Sequence, residues 1–594
     1  MNEEVWTDDA GDMAGGLDLL LTDAALGVWH RLRPDSSLLR LAGGLARRPQ
    51  FTVRQTAQLA AELGRIAAGR STVAADPRDR RFADPAWRDN PFLRRSVQAY
   101  LAASTTAGEL VDGAKLGWRD DTRLRFLLAN LVAAAAPSNN PVLSPVGWKA
   151  VIETGGENTV RGLRNLASDL ATSPRVPSMV PAGAFEVGRD LAVTPGGVVH
   201  ATEAFELIQY QPVTDTVHRY PLLIVPPMIN KYYIVDLAPG RSMVEFLVSM
   251  GHQVFVMSWR NPDARHRDWD LDTYGGALVE ALAAVRAISG EAKASVCALC
   301  SGGIMASMVA AHLGATGQLD QLASLCLGVT VLDQSPPEGS DGVLSPGHGP
   351  AGGSGGVVPP GQQGRGVSGA LVDEKTAAAA MAVSAARGYL DGRTLAEVFA
   401  WLRPDDLIWN YWVNNYLQGR TPPAFDILYL NADVTRLPAA LHHDFIRLGL
   451  ANALVTPGAA TMLGSPVDLA KVDLDAYLVA GITDHLCPWE SCYRTTQLLG
   501  GPAKFVLSTS GHIAAMVNPP TNAKAAFRTG PAWANPADPR EFLATATTVP
   551  GSWWTDYSSW LAERSGGERR SPRTLGRKAY PVRSAAPGTY VHDR

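Results

Sequence analysis

The sequence predicts an α/β protein with a mainly helical N-terminal part, and three observations carry the prediction. The chain from about residue 50 to 190 reads as helices joined by polar breaks; short β-branched runs alternating with helical spans begin after Thr194; and an apolar run, a sharp turn and a helix meet at Cys300. The 594 residues are 46% hydrophobic and 19% charged, enough apolar material for a large core and unlike a disordered or fibrous chain. With 53 Lys+Arg against 57 Asp+Glu the net charge is -4, so no basic field invites nucleic acid or anionic membranes.

In chain order, amphipathic patterns predict helices over Pro91–Val111, Leu124–Ala136 and Asn158–Leu170, giving a helical N-terminal domain over 1–193 with a disordered start. The acidic start is unlike a secretory signal, and no apolar stretch approaches the roughly 18 residues of a membrane helix. A cytoplasmic protein follows. The five cysteines are then expected as free thiols of a reducing compartment.

Strands are predicted at Tyr220–Val225, Gln253–Ser258, Ala294–Leu299, Leu325–Leu332, Ala476–Ala480 and Ala503–Leu507, within a catalytic region spanning 194–594. Helices over Arg241–Met250, Tyr274–Ile288 and Gly303–Leu313 fall between them, as a largely parallel sheet requires. The segment 339–369 holds 12 glycines in 31 residues, too little apolar surface to offset its ordering entropy, and reads as a mobile insertion. Its Gly347–Gly352 run matches a dinucleotide pattern, but no strand precedes it and Pro350 interrupts it. Helical, aromatic-rich sequence follows, so about 334–450 is expected to form a cap between two halves of the sheet.

The chemistry centres on Cys300. A nucleophile elbow needs small residues two before and two after the nucleophile, and Ala298 and Gly302 supply them; with Ser301 as nucleophile, bulky Leu299 would fill the first position. The start of the following helix favours a thiolate. Cys297 and Cys300 also form a C-x-x-C, but zinc would want a second pair and a redox motif would expose its first cysteine. No cofactor or metal is therefore expected. An elbow nucleophile is followed in the chain by an acid and then a base, and Asp484 and His512 each sit just past a predicted strand. His485 and the pair His442-His443 lack that support and read as turn or surface residues. One oxyanion donor is the amide after the nucleophile, at Ser301; the second belongs to the loop Pro226–Asn230, where the prolines leave Met228 or a later residue.

Several of these stretches, Pro226–Tyr233, Ser258–Asp263, Leu299–Gly303, Asp406–Trp412, Asn431–Asp433, Asp484-His485 and Ser510–Ile513, resemble the polyhydroxyalkanoate synthases over about Arg81 to Gly566. The resemblance implies an α/β-hydrolase-like core with a cap, polymerising (R)-3-hydroxyacyl-CoA into polyester with release of CoA. It implies Cys300 as the acylated nucleophile with Asp484 and His512 as partners, and the Ile229 and Ser301 amides as the oxyanion hole. Length places the chain with the single-polypeptide types, which act as homodimers at the surface of polyester granules, where granule-associated proteins are further partners. A thiolate suits this chemistry, because one thioester is exchanged for another and the acyl group stays activated. Whether His512 or Asp484 activates the attacking hydroxyl is left open, as is acyl length. Ala298 departs from the usual first glycine of the box, Leu430 stands where many relatives have tryptophan, and His442-His443 replace an aromatic residue and a cysteine. A thioesterase or polyester depolymerase on the same fold, and a non-catalytic granule-binding protein, are the competing readings. Cysteine at the elbow argues against the first and an intact set of three against the second.

Overall fold

The apolar runs assemble into one central sheet with a parallel middle. A computed structural model describes residues 17–27, 36–335, 374–484, 486–531 and 535–594. The glycine-rich insertion 339–369, its dinucleotide-like run and His485 lie outside the described residues. The sheet is built from β1 (Gly196–Ala201), β2 (Phe205–Tyr210), β3 (Leu222–Val225), β4 (Val254–Trp259), β5 (Ala294–Leu299), β6 (Leu322–Gly328), β7 (Ala476–Gly481), β8 (Ala503–Ser508), β9 (Ala526–Thr529), β10 (Thr547–Pro550) and β11 (Ser584–Ala585). Their spatial order is β10-β9-β8-β7-β6-β5-β3-β4-β2-β1-β11.

Strands β4, β3, β5, β6, β7 and β8 run parallel. Every residue of β3, β4, β5 and β7 is buried, which is why these strands read as continuous apolar runs. The predicted helices form with small shifts at their ends, as Met243–Ser249, Leu271–Ser289 and Ser301–Ala315. From β3 the chain goes to β4 on one side and then to β5 on the other. The carboxyl ends of β3 and β5 therefore flank a topological switch point, the crevice where open α/β sheets bind ligands.

Between β6 and β7 lies the helical segment the sequence anticipates, from helix Glu374–Arg387 to helix Ala439–Ala451. Its aromatic stretch winds as π-helix over Asp405–Trp409 and Trp412–Leu417. Helix Glu157–Ala171 locks onto it: Asn158 Nδ2 donates to the Leu417 carbonyl at 2.8 Å, Asn165 Nδ2 to the Asn415 carbonyl at 3.0 Å, and the Tyr416 hydroxyl to Asp169 at 2.7 Å. Gly162 permits this approach, because a Cβ there would lie 2.0 Å from the Tyr416 carbonyl oxygen. The N-terminal helices thus buttress the helical insertion, and helix Leu17–Leu26 packs among its helices with Leu21 in the main core.

Three expectations need correction. His442 is not a turn or surface residue: it is fully buried, with Nδ1 2.8 Å from Ser384 Oγ and Nε2 3.1 Å from the Leu21 carbonyl, tying the insertion to the first helix. The tail from Arg569, whose Arg and Lys residues read in the sequence as a solvated terminus, packs back onto the sheet instead. Glu568–Arg570 pairs with Thr216–His218, β11 pairs with β1, and Tyr590 and Asp593 dock beside β4, because their backbone groups find edge-strand and side-chain partners. Leu325–Leu332 is not all strand: β6 ends at Gly328, and Val329 at φ 44° turns the chain away from the sheet.

Candidate active site

The site is built around the switch point from four strand ends. After β5, Cys300 takes φ 49° and ψ -121°, a strained conformation for a non-glycine residue, and helix Ser301–Ala315 starts immediately. The turn is possible only because the two residues after Ser301, Gly302 and Gly303, lack a side chain. A Cβ on Gly302 would sit 2.7 Å from the Pro226 carbonyl oxygen and 2.9 Å from that of Val225; one on Gly303 would sit 2.0 Å from Thr330 Oγ1. Ala298 is fully buried in β5, paired with Val225 and Leu327, so a methyl group fits two residues before the turn.

The carboxyl ends of β7 and β8 deliver the other two side chains. The His512 ring, 8% exposed, has Nδ1 2.7 Å from Asp484 Oδ2, and Asp484 is 4% exposed. The other carboxylate oxygen, Oδ1, accepts the backbone N–H groups of Leu486 and Cys487 at 2.8 and 2.9 Å. Asp484 therefore fixes both the ring and its own loop. With Nδ1 committed to Asp484, Nε2 is the nitrogen left for Cys300.

The ligand atoms of Cys300, Cys487 and His512 all lie within 4.8 Å of one another. A hydrogen bond from Cys487, opposed by burial and reinforced by His512 and the Ser301 amide, draws the Cys300 thiol below the ordinary thiol value. His512 moves the opposite way: burial pushes it down, but the charge and hydrogen bond of Asp484 outweigh this and hold the ring above its ordinary value. The two directions together favour a thiolate beside an imidazolium.

The fourth strand end, after β3, carries the backbone loop Pro226–Asn230. Its carbonyls are tied back: Trp259 Nε1 donates to the Pro226 oxygen at 3.1 Å, Thr435 Oγ1 to the Met228 oxygen at 2.6 Å, and the Thr435 amide to the Ile229 oxygen at 3.4 Å. The Met228 N–H is also used, donating to Ser301 Oγ at 3.1 Å. Among the candidate donors left open by the two prolines, Met228 is thus engaged and Ile229 is next. The same bond makes fully buried Ser301 a structural acceptor instead of a nucleophile. Tyr233 donates to Asp433 Oδ2 at 2.8 Å, and Lys231 Nζ donates to the Asp593 carbonyl at 2.6 Å, so the loop is held from the helical insertion and from the tail.

The structure brings Cys300, His512 and Asp484 together and sets the Ser301 amide at the Cys300 sulfur, with Ile229 on the adjoining loop. Sequence reasoning missed Cys487 and Thr435. Each lies close to a residue singled out there, three after Asp484 and two after Asp433, but only folding shows where their side chains point. Cys297 turns away from the site, into the core beside Cys326 and Tyr557.

Residues 78–247 match the family described as the Poly-beta-hydroxybutyrate polymerase (PhaC) N-terminus, and residues 371–519 match the alpha/beta hydrolase fold. The chain is 42% identical over 548 residues to Poly(3-hydroxyalkanoate) polymerase 1 of Ectopseudomonas oleovorans, covering 92% of each chain. It is 43% identical over 562 residues to polymerase 2 of that organism, covering 94% of each. To the Poly(3-hydroxyalkanoate) polymerase subunit PhaC of Cupriavidus necator it is 39% identical over 528 residues, covering 89% of this chain and 85% of that one.

Proposed function

The chain belongs to the poly(3-hydroxyalkanoate) polymerase family of acyltransferases, and from that premise we propose that Cys300 carries the acyl group during polymer growth. Cys300 Sγ attacks the thioester carbonyl of a (R)-3-hydroxyacyl-CoA. A carbon–sulfur bond forms to the enzyme, the bond to CoA breaks, and His512 Nε2 protonates the departing CoA thiolate. The Ile229 and Ser301 amides hold the carbonyl oxygen as it becomes negative. In the second step the 3-hydroxyl of another acyl unit gives its proton to His512 and attacks the acyl-enzyme, forming the ester and releasing the Cys300 thiolate. Asp484 keeps the ring in the tautomer that does both tasks.

The observation that carries this reading is the cysteine at φ 49° on a strand-to-helix turn with a carboxylate-bound histidine beside it. Exclusion of water is the second requirement, since water would hydrolyse the same thioester. Cys300 is 6% exposed, which suits a site that must keep bulk water from the acyl-enzyme. Among the described residues no helix is long and apolar enough to cross a membrane. Homodimeric assembly, granule-associated proteins as partners and attachment to the polyester granule belong to the same proposal and rest on the family relationship.

The test is CoA release from (R)-3-hydroxybutyryl-CoA by the wild type and Cys300→Ala, with the product examined for polymer. The proposal expects Cys300-dependent release and insoluble polyester. Release by Cys300→Ala, or free hydroxy acid as the sole product, contradicts it.

A further inference from the structure

The arrangement behind Cys300 contains more than the acyl-transfer reading uses. Cys487 reaches the nucleophile from the loop that Asp484 anchors, and it takes no part in the steps above. Its sulfur, the Cys300 sulfur and a His512 ring nitrogen are all buried and lie within 4.8 Å of one another. A tetrahedral zinc ion with bonds of about 2.0–2.3 Å to imidazole and thiolate separates its donors by about 3.5–3.8 Å. The three atoms therefore need to close by at most about 1.3 Å. Asp484 stands behind His512 Nδ1 at 2.7 Å, which is the carboxylate–histidine support that orients metal-bound imidazoles and raises their basicity.

We propose that Cys300, Cys487 and His512 form a binding site for a borderline-soft divalent cation of the zinc class, and that such a cation holds the enzyme in a reversibly inactive state. Two thiolates and an imidazole select zinc over the hard oxygen-seeking cations magnesium and calcium. The fourth position is left to water. Binding needs both sulfurs as thiolates and Nε2 unprotonated, so the thiol proton of Cys487 and any proton on Nε2 leave to solvent, and affinity rises with pH. The bound cation occupies the lone pairs that attack acyl-CoA and accept the hydroxyl proton. The inhibitory consequence rests on the reading of Cys300 as the nucleophile; the binding site does not.

The experiment uses the full chain and zinc alone. Zinc is titrated against a colorimetric chelator for the wild type, Cys487→Val and Cys300→Ala, and the same zinc series is run in the CoA-release assay. The expected result is one ion per wild-type chain, inhibition reversed by excess chelator, and affinity weaker by at least ~10-fold in each variant, since losing a direct ligand costs no less than losing its outer-shell support. A measurement on the wild type alone guards against a misfolded variant: bound zinc must protect both Cys300 and Cys487 from alkylation. Equal affinity in Cys487→Val, or protection of Cys300 without Cys487, overturns the proposal. Those results leave Cys300 as the nucleophile, whereas CoA release by Cys300→Ala would remove that reading whatever zinc does.

Discussion

Replacing Gly302 by alanine probes the elbow with one methyl group. The added Cβ would stand 2.7 Å from the Pro226 carbonyl oxygen and 2.9 Å from the Val225 carbonyl oxygen, about 0.7 and 0.5 Å inside ordinary contact. Neither obstacle is a side chain that can rotate away. Val225 is the last residue of β3, paired with Ala298, and the Pro226 oxygen is held by Trp259 at 3.1 Å. The strain is relieved by separating the start of helix Ser301–Ala315 from the loop that carries Ile229. That separation moves the two candidate oxyanion amides apart. A misplacement approaching 1 Å, or loss of one oxyanion donor, lowers turnover by ~10²-fold. Gly302→Ala is therefore expected to show a ~10²-fold lower kcat for CoA release, with KM little changed and Cys300 still open to alkylation. Gly64→Ala, where an added Cβ meets nothing within 4 Å, serves as the control. A Gly302→Ala enzyme with near wild-type kcat would refute the argument that this close approach sets the oxyanion geometry.

Asp484→Asn keeps the shape but presents an amide to His512 Nδ1 and favours the wrong tautomer, so CoA release should fall by about 10⁴-fold while the folded structure persists by circular dichroism. Lys231→Met strips the Asp593 carbonyl of the Nζ donor at 2.6 Å in a half-sealed site; denaturant titration should show a loss of ~1–3 kcal/mol, and the tail should become a faster target for carboxypeptidase. His442 is held neutral by burial, its folded value lowered to about 4 from 6.5. The unfolded chain binds the extra proton first, so the stability His442 contributes is present above pH 6.5 and is lost as pH falls towards about 4. Thermal melts across that window should decline less steeply for His442→Gln than for the wild type.

The parallel middle of the sheet was legible because strands buried on both faces must be continuously apolar, as Ala294–Leu299 and Ala476–Gly481 are. Their order was not, since alternation of strands and helices does not say on which side of β3 the chain returns. The antiparallel additions were harder still. In β1 half of the residues and in β9 most are only partly buried, and β11 is a two-residue edge strand, so their sequences carry little period-2 signal. At the site, chain order and small-residue spacing picked out Cys300, Asp484 and His512, because strained turns and strand ends restrict residue type locally. Thr435 and Cys487 act through contacts between distant segments, and no local pattern marks them. The same holds for His442, whose partners Ser384 and Leu21 lie far away in the chain.

The central claim is that the acyl group rides on Cys300. Its most direct measurement is a rapid quench of enzyme with (R)-3-hydroxybutyryl-CoA, followed by acid proteolysis and mass spectrometry of the cysteine-containing peptides. The account predicts a hydroxybutyryl adduct, or a short oligomer of it, on the peptide containing Cys300. An adduct on Ser301 or on another cysteine, with Cys300 unmodified while CoA is being released, would contradict it.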